Sequence, residues 1–138
     1  MMKALTIFDI SGRAMSAQQV RLNAVASNLA NAQTVAGTPE EAYKSMRPIF
    51  KANFPSQQMG QGVATVDTDG IYRSTLPPEK KYSPQHPKAD EQGYIYAAAV
   101  DPQEEMIDML EASRQYQNNI EVLSTAKSLI LKTLNVGK

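Results

Sequence analysis

The chain contains no cysteine, which removes a disulfide framework, a thiolate metal site and a cysteine nucleophile together. It holds one histidine, His86, placed between Pro84 and Pro87. A catalytic triad or a histidine-based metal cluster therefore has nothing to assemble from, and His86 is read as an ordinary exposed side chain. Net charge is missing as well: 14 Lys and Arg balance 14 Asp and Glu, so no global field draws the protein toward nucleic acid or an anionic membrane. No stretch approaches the roughly 18 apolar residues of a membrane span, and Met1 to Asp9 lack the unbroken apolar stretch of a cleaved secretion signal.

Glycine and proline are scarce at both ends. All eight prolines lie between Pro39 and Pro102, and of seven glycines only Gly12 and Gly137 lie outside the span from Gly37 to Gly93. This punctuation divides the 138 residues into a helical segment over 1–33, a β-rich middle over 34–101 and a second helical segment over 102–138. The length suits one domain or one elongated subunit. The expected fold is mainly α: two long terminal helices paired as a coiled-coil-like core, with a small irregular β-rich middle.

The first helix is expected from Ala4 to Ala32. At 100° per residue, Ile7, Phe8, Met15, Leu22, Val25 and Leu29 share one stripe, and Phe8, Met15, Leu22 and Leu29 recur every seven residues. Ile10, Ala14, Ala17 and Ala24 widen the stripe, while Leu5 and Val20 lie away from it, so one partner helix cannot cover everything apolar. The second helix has a sharp start, with Asp101 as N-cap, Pro102 at the first helical position and Glu104 where a capping box places its acid. Met109, Tyr116, Leu123 and Ile130 then repeat every seven residues, with Met106, Ile120 and Leu134 at the companion position, where Ser113 and Lys127 interrupt. Gly137 suits the stop. Helices of about 30 residues reach about 45 Å, so the subunit is elongated.

In the middle, short β-prone runs occur at Tyr43 to Phe50, Gly62 to Val66 and Tyr94 to Ala99. The proline-rich run Leu76 to Pro87 is expected to be an extended arm without a regular ladder. Asp67-Thr68-Asp69-Gly70 resembles part of a calcium loop, but the twelfth position is Pro78, which provides no bidentate acid, so a turn is expected. Gly60-Gln61-Gly62 lacks the later glycine and the following helix of a phosphate loop. Glu104, Glu105, Asp108 and Glu111 lack the histidines of a di-iron bundle and are read as complementing the helix dipole. These patterns imply no catalytic residue, no metal, no cofactor and no small-molecule substrate.

Asn23, Asn28, Asn31, Asn118 and Asn119 lie in or at the ends of helical segments although asparagine is a mediocre helix former. Among many helical neighbours such amides can fix register by hydrogen bonds.

The segment Ala26-Ser27-Asn28-Leu29-Ala30-Asn31-Ala32 resembles the N-terminal signature of flagellar rod and hook proteins. Glu105 to Leu123, continuing through Ser128 to Leu134, is similar to the second signature of the same family, in the same order. Many relatives pass from the first signature straight into a Thr-Pro-Gly-Tyr turn, whereas here the stretch from Gln33 to Lys44 is longer. The resemblance implies a structural axial subunit, not an enzyme. It would be exported by the flagellar type III apparatus without signal cleavage and polymerise in the periplasmic part of the basal body. Implied partners are copies of itself, the proximal-rod and distal-rod proteins and the rod-base adaptor at the export gate.

Residues expected to serve subunit packing are Phe8, Met15, Leu22, Val25, Asn28, Leu29 and Asn31 in the first helix. In the second they are Met109, Tyr116, Asn119, Ile120, Leu123, Ile130 and Leu134. The rival reading is a soluble helical adaptor or chaperone of a type III export system, using the same amphipathic helices on a transient partner.

Overall fold

A computed structural model describes residues 6–54 and 64–137. Helix α1 spans Ile7–Asn31. Its start is fixed by a capping box: the Thr6 hydroxyl accepts from the Asp9 amide at 3.2 Å, and the Asp9 carboxylate accepts from the Thr6 amide at 3.0 Å. Of the expected first turn from Ala4, residues 4–5 lie outside the described residues, and Thr6 is not helical but the extended N-cap, so the helix starts at Ile7. Helix α2 spans Pro102–Val136, with Asp101 accepting from the Gln103 amide at 2.8 Å and Gly137 as C-cap. Glu104 does not close the expected box; its carboxylate stands 3.8 Å from the Arg47 guanidinium instead. At about 1.5 Å per residue the helices measure about 37 and 52 Å.

The helices pack antiparallel, since Asn28 meets Glu105 while Gln18 meets Gln115, at 3.0 and 2.8 Å. Ala17, Ala24, Val25 and Ala112 are their buried apolar residues. Along α2 the buried row is Glu105 and Ala112, with Asn119 and Ala126 half-buried in continuation. The expected companions Met106, Ile120 and Leu134 are exposed. The reason is geometric: Ala112 stands three residues after Met109, and choosing that flank turns the other one outward. Ser113 and Lys127 therefore interrupt no buried row within the subunit.

Five strands fill the middle: β1 Val35–Ala36, β2 Met46–Asn53, β3 Thr65–Arg73, β4 Glu79–Tyr82 and β5 Tyr94–Ala97. Strands β2 and β3 form one antiparallel pair, and β1, β5 and β4 form a second sheet in that order. Two expectations are corrected here. Asp67 to Gly70 is not a turn but lies within β3, where the register shifts opposite Ile49 and Phe50 and Gly70 takes φ +144°. Part of the proline-rich run does hold a ladder, because Glu79–Tyr82 contains no proline and pairs with β5. Of the run Gly62 to Val66, residues 62–63 lie outside the described residues and the strand begins at Thr65.

His86 is half-buried, its Nδ1 accepting from the Lys88 amide at 3.1 Å. The bend from β4 to β5 closes on Asp90, which accepts from the amides of Tyr94 and Gln92 and from the Tyr96 hydroxyl. The Tyr94 amide, aided by the Tyr96 hydroxyl and the Gln92 amide, holds the Asp90 carboxyl below its ordinary value. Gly93 follows at φ +80°, where an added Cβ would meet Pro84 and Tyr82 at 3.0 Å. Lys80 covers the Tyr94 ring at 4.0 Å.

Candidate assembly interface

Among the described residues the largest wholly buried side chains are both polar, Asn28 at 0 % and Glu105 at 1 % exposure. Burial of such groups is tolerable only with full hydrogen bonding. Asn28 achieves it: Nδ2 donates to the Met46 carbonyl at 2.9 Å and to Glu105 Oε2 at 3.0 Å. Its Oδ1 accepts from the Met46 amide at 2.8 Å and the Tyr43 hydroxyl at 2.9 Å. The carboxamide thus takes both backbone groups of Met46, as an adjacent strand would, and fastens the start of β2 to α1.

The second oxygen of Glu105 accepts from Arg47 at 3.1 Å, and Arg47 also binds Asp108. Asp108 in turn accepts from Arg21 at 3.2 Å, and Arg21 reaches Glu111 at 3.4 Å. Burial works against the Arg47 charge, but the hydrogen bond to Asp108 and the fields of Glu105, Asp108 and Glu104 outweigh it and raise its pKa above the usual value. Farther along α1, Arg13 binds both Asp67 oxygens at 2.9 Å. The early acids of α2 are therefore more than partners of the helix dipole, because Glu105, Asp108 and Glu111 accept hydrogen bonds from arginines of α1 and β2, and Glu104 pairs with Arg47 at longer range. With their oxygens occupied in this way, they form a clasp and not a reactive centre. Among the described residues no group of His, Asp and Glu is placed to hold a metal ion.

Of the residues expected to pack, Val25 and Asn28 are buried, whereas Met15, Leu22, Leu29, Met109, Tyr116 and Leu123 are half-buried. Phe8, Ile120, Ile130 and Leu134 are exposed. Asn31 and Asn119, also half-buried, donate to the carbonyls of Ser27 and Gln115 one turn back in their own helices. Sequence reasoning passed over Arg21, Arg47 and the pairing role of Glu105 and Asp108. A signal was present: neither arginine has an acid within five positions along the chain, so their counter-ions had to come from elsewhere.

Outside this clasp the helices carry much uncovered apolar surface. Met106, Ile107 and Leu110 are exposed near the start of α2, and Leu129, Ile130, Leu131, Leu134 and Val136 near its end. Ile7 faces an open groove formed with Val122, Ala126 and Leu129. Single exposed apolar side chains are ordinary, but clusters at both ends of one helix mark an interaction surface.

Residues 8–36, which include α1 from its second residue, match the family described as "Flagella basal body rod protein". Residues 91–136, containing all of α2, match "Flagellar basal body rod FlgEFG protein C-terminal". The chain is 42 % identical over 137 residues to the flagellar basal-body rod protein FlgC of Escherichia coli O157:H7, and equally to that of Salmonella typhimurium (strain LT2). Each alignment covers 99 % of this chain and 100 % of the relative. The protein of that name from Aquifex aeolicus (strain VF5) is 33 % identical over 140 residues, with both chains covered completely.

Proposed function

The chain belongs to the flagellar basal-body rod protein family, and from that premise we propose that it is a structural subunit of the proximal rod. The observation that carries the reading is end-to-end similarity to rod proteins in a chain whose helices leave clustered apolar side chains uncovered. Membership of a structural family agrees with the lack of a catalytic constellation in the sequence, and the protein is not an enzyme.

In this proposal the helix pair extends coiled-coil-like packing to neighbouring subunits and builds a hollow, heterologous tube not closed by twofold symmetry. Torque passes through side-chain packing, and the bore forms part of the export channel. Neighbours are copies of the chain, the proximal- and distal-rod proteins and the rod-base adaptor at the export gate, reached after uncleaved type III export into the periplasm. The packing roles proposed for Phe8, Ile120, Ile130 and Leu134 draw support from their exposure. The rival reading, a soluble adaptor or chaperone of type III export, is not favoured by relatives that match over their whole length and bear the name of rod proteins.

Because the chain has no cysteine, the test is direct. Leu110→Cys and Leu134→Cys, introduced singly in cells, should form cross-links to axial neighbours in purified basal bodies. Recovery of both variants only as soluble, uncross-linked protein bound to export components would refute the rod assignment.

A further inference from the structure

We infer that seating of the β2–β3 hairpin is conditional on pairing of the terminal helices, with Asn28 and Glu105 as the positioning residues that join the two events. Three elements meet at this point, and each supplies what the other two need. Helix α1 offers the Asn28 carboxamide, whose four hydrogen bonds go to Met46 twice, to Tyr43 and to Glu105. Helix α2 provides Glu105, one oxygen toward Asn28 and the other toward Arg47 of β2. Strand β2 brings the Met46 backbone and Arg47, whose ionic partners Glu104, Glu105 and Asp108 all stand on α2.

Separating α2 leaves Asn28 without one acceptor and Arg47 without those carboxylates. Lifting the hairpin strips Asn28 of both Met46 contacts and Glu105 of Arg47. Since Asn28 and Glu105 are almost wholly buried, neither partial state restores the missing bonds without water entering the junction. The hairpin and the helix pair therefore close together. The β1–β5–β4 sheet has its own ladder and its own turn at Asp90, and none of its strands contributes to the junction. It is expected to form independently. Should the rod-subunit reading stand, on which this consequence rests, the exposed hairpin side chains Ile71 and Tyr72 become a fixed surface only in subunits whose helices have paired.

Amide exchange on the dilute full-length chain tests the coupling without any assembly step. Glu105→Ala should speed exchange of the Met46 amide and the β2–β3 ladder by about tenfold or more, as expected for loss of a charge-assisted bond at a buried site. Tyr94 to Ala97 should keep native protection. Asn28→Asp should have a similar effect by facing Glu105 with a second carboxylate. Asn28→Asp combined with Glu105→Gln should recover part of the protection, since Gln Nε2 can donate to the new carboxylate. Glu105→Gln alone, the gentler change, should move the same amides less.

The inference is overturned if Met46 stays as protected as in the native chain when the helix amides at the junction open. It is equally overturned if the double variant is no better than Asn28→Asp alone. Failure here leaves the rod assignment intact, because exchange is read on unassembled protein. Failure of cross-linking in basal bodies leaves the coupling intact.

Discussion

Arg13 in α1 and Asp67 in β3, 54 residues apart in the chain, form an ion pair with one guanidinium nitrogen 2.9 Å from each carboxylate oxygen. It ties the hairpin to α1 fifteen residues before Asn28 does, so the hairpin is fastened at two levels of the same helix. The two ties differ in kind. Both side chains of the Arg13 pair are more than one-third exposed, whereas Asn28 is fully enclosed.

That difference sets a first prediction. Asp67→Asn should cost no more than about 1 kcal/mol, and the loss should shrink further in 1 M salt, where exposed pairs are screened. Urea unfolding at low and high salt measures it.

Asn28→Leu should be far more damaging. It strands the Met46 amide and carbonyl and one Glu105 oxygen at a buried junction and leaves the Tyr43 hydroxyl only its Ser27 partner, for a loss of about 3 kcal/mol or more. A urea midpoint within error of the native chain would contradict this bonding.

Leu22→Asp and Leu123→Asp place a charge at half-buried positions of the helix pair, costing several kcal/mol, and should block rod assembly. Leu134→Asp lies at an exposed position and should alter monomer stability by less than about 0.5 kcal/mol while still impairing assembly. Thermal unfolding of the purified chain and swimming of complemented cells separate these outcomes. Motile cells carrying intact rods with the first two variants would refute the packing role.

The exposed apolar ends predict uneven order in solution. Amides after Leu129 should exchange quickly in the dilute chain and slow on assembly, because in the proposed rod their side chains are covered by neighbours. Strong protection there in the monomer would count against a surface completed by other subunits.

Asp90 gives a pH dependence with a definite sign. Its folded pKa is depressed, chiefly by the Tyr94 amide, so it stabilises the β4–β5 bend above the ordinary carboxylate value of 3.8. That contribution is lost as pH falls through the lower folded value. Acid titration followed by the Tyr94 and Tyr96 ring signals should show the bend loosening below about pH 4, and Asp90→Asn should flatten this dependence.

Local chemistry made much of this protein readable from its residues. The heptad spacing of Met109, Tyr116 and Leu123 and the Asp101-Pro102 start needed only helix geometry. The helical reading of the family-like segments around Asn28 and after Glu105 rested on the same short-range rules. What short-range rules could not decide was the flank of α2 that turns inward. Ala112 and Met106 are both apolar, and the choice depends on how closely α1 approaches. Nor could they show that Glu105 belongs to Asn28 and Arg47, 77 and 58 positions away. A hydrogen bond between residues so far apart leaves no periodic trace in the sequence; it exists because two helices and a strand converge on one point where Asn28 and Glu105 are buried and must find partners.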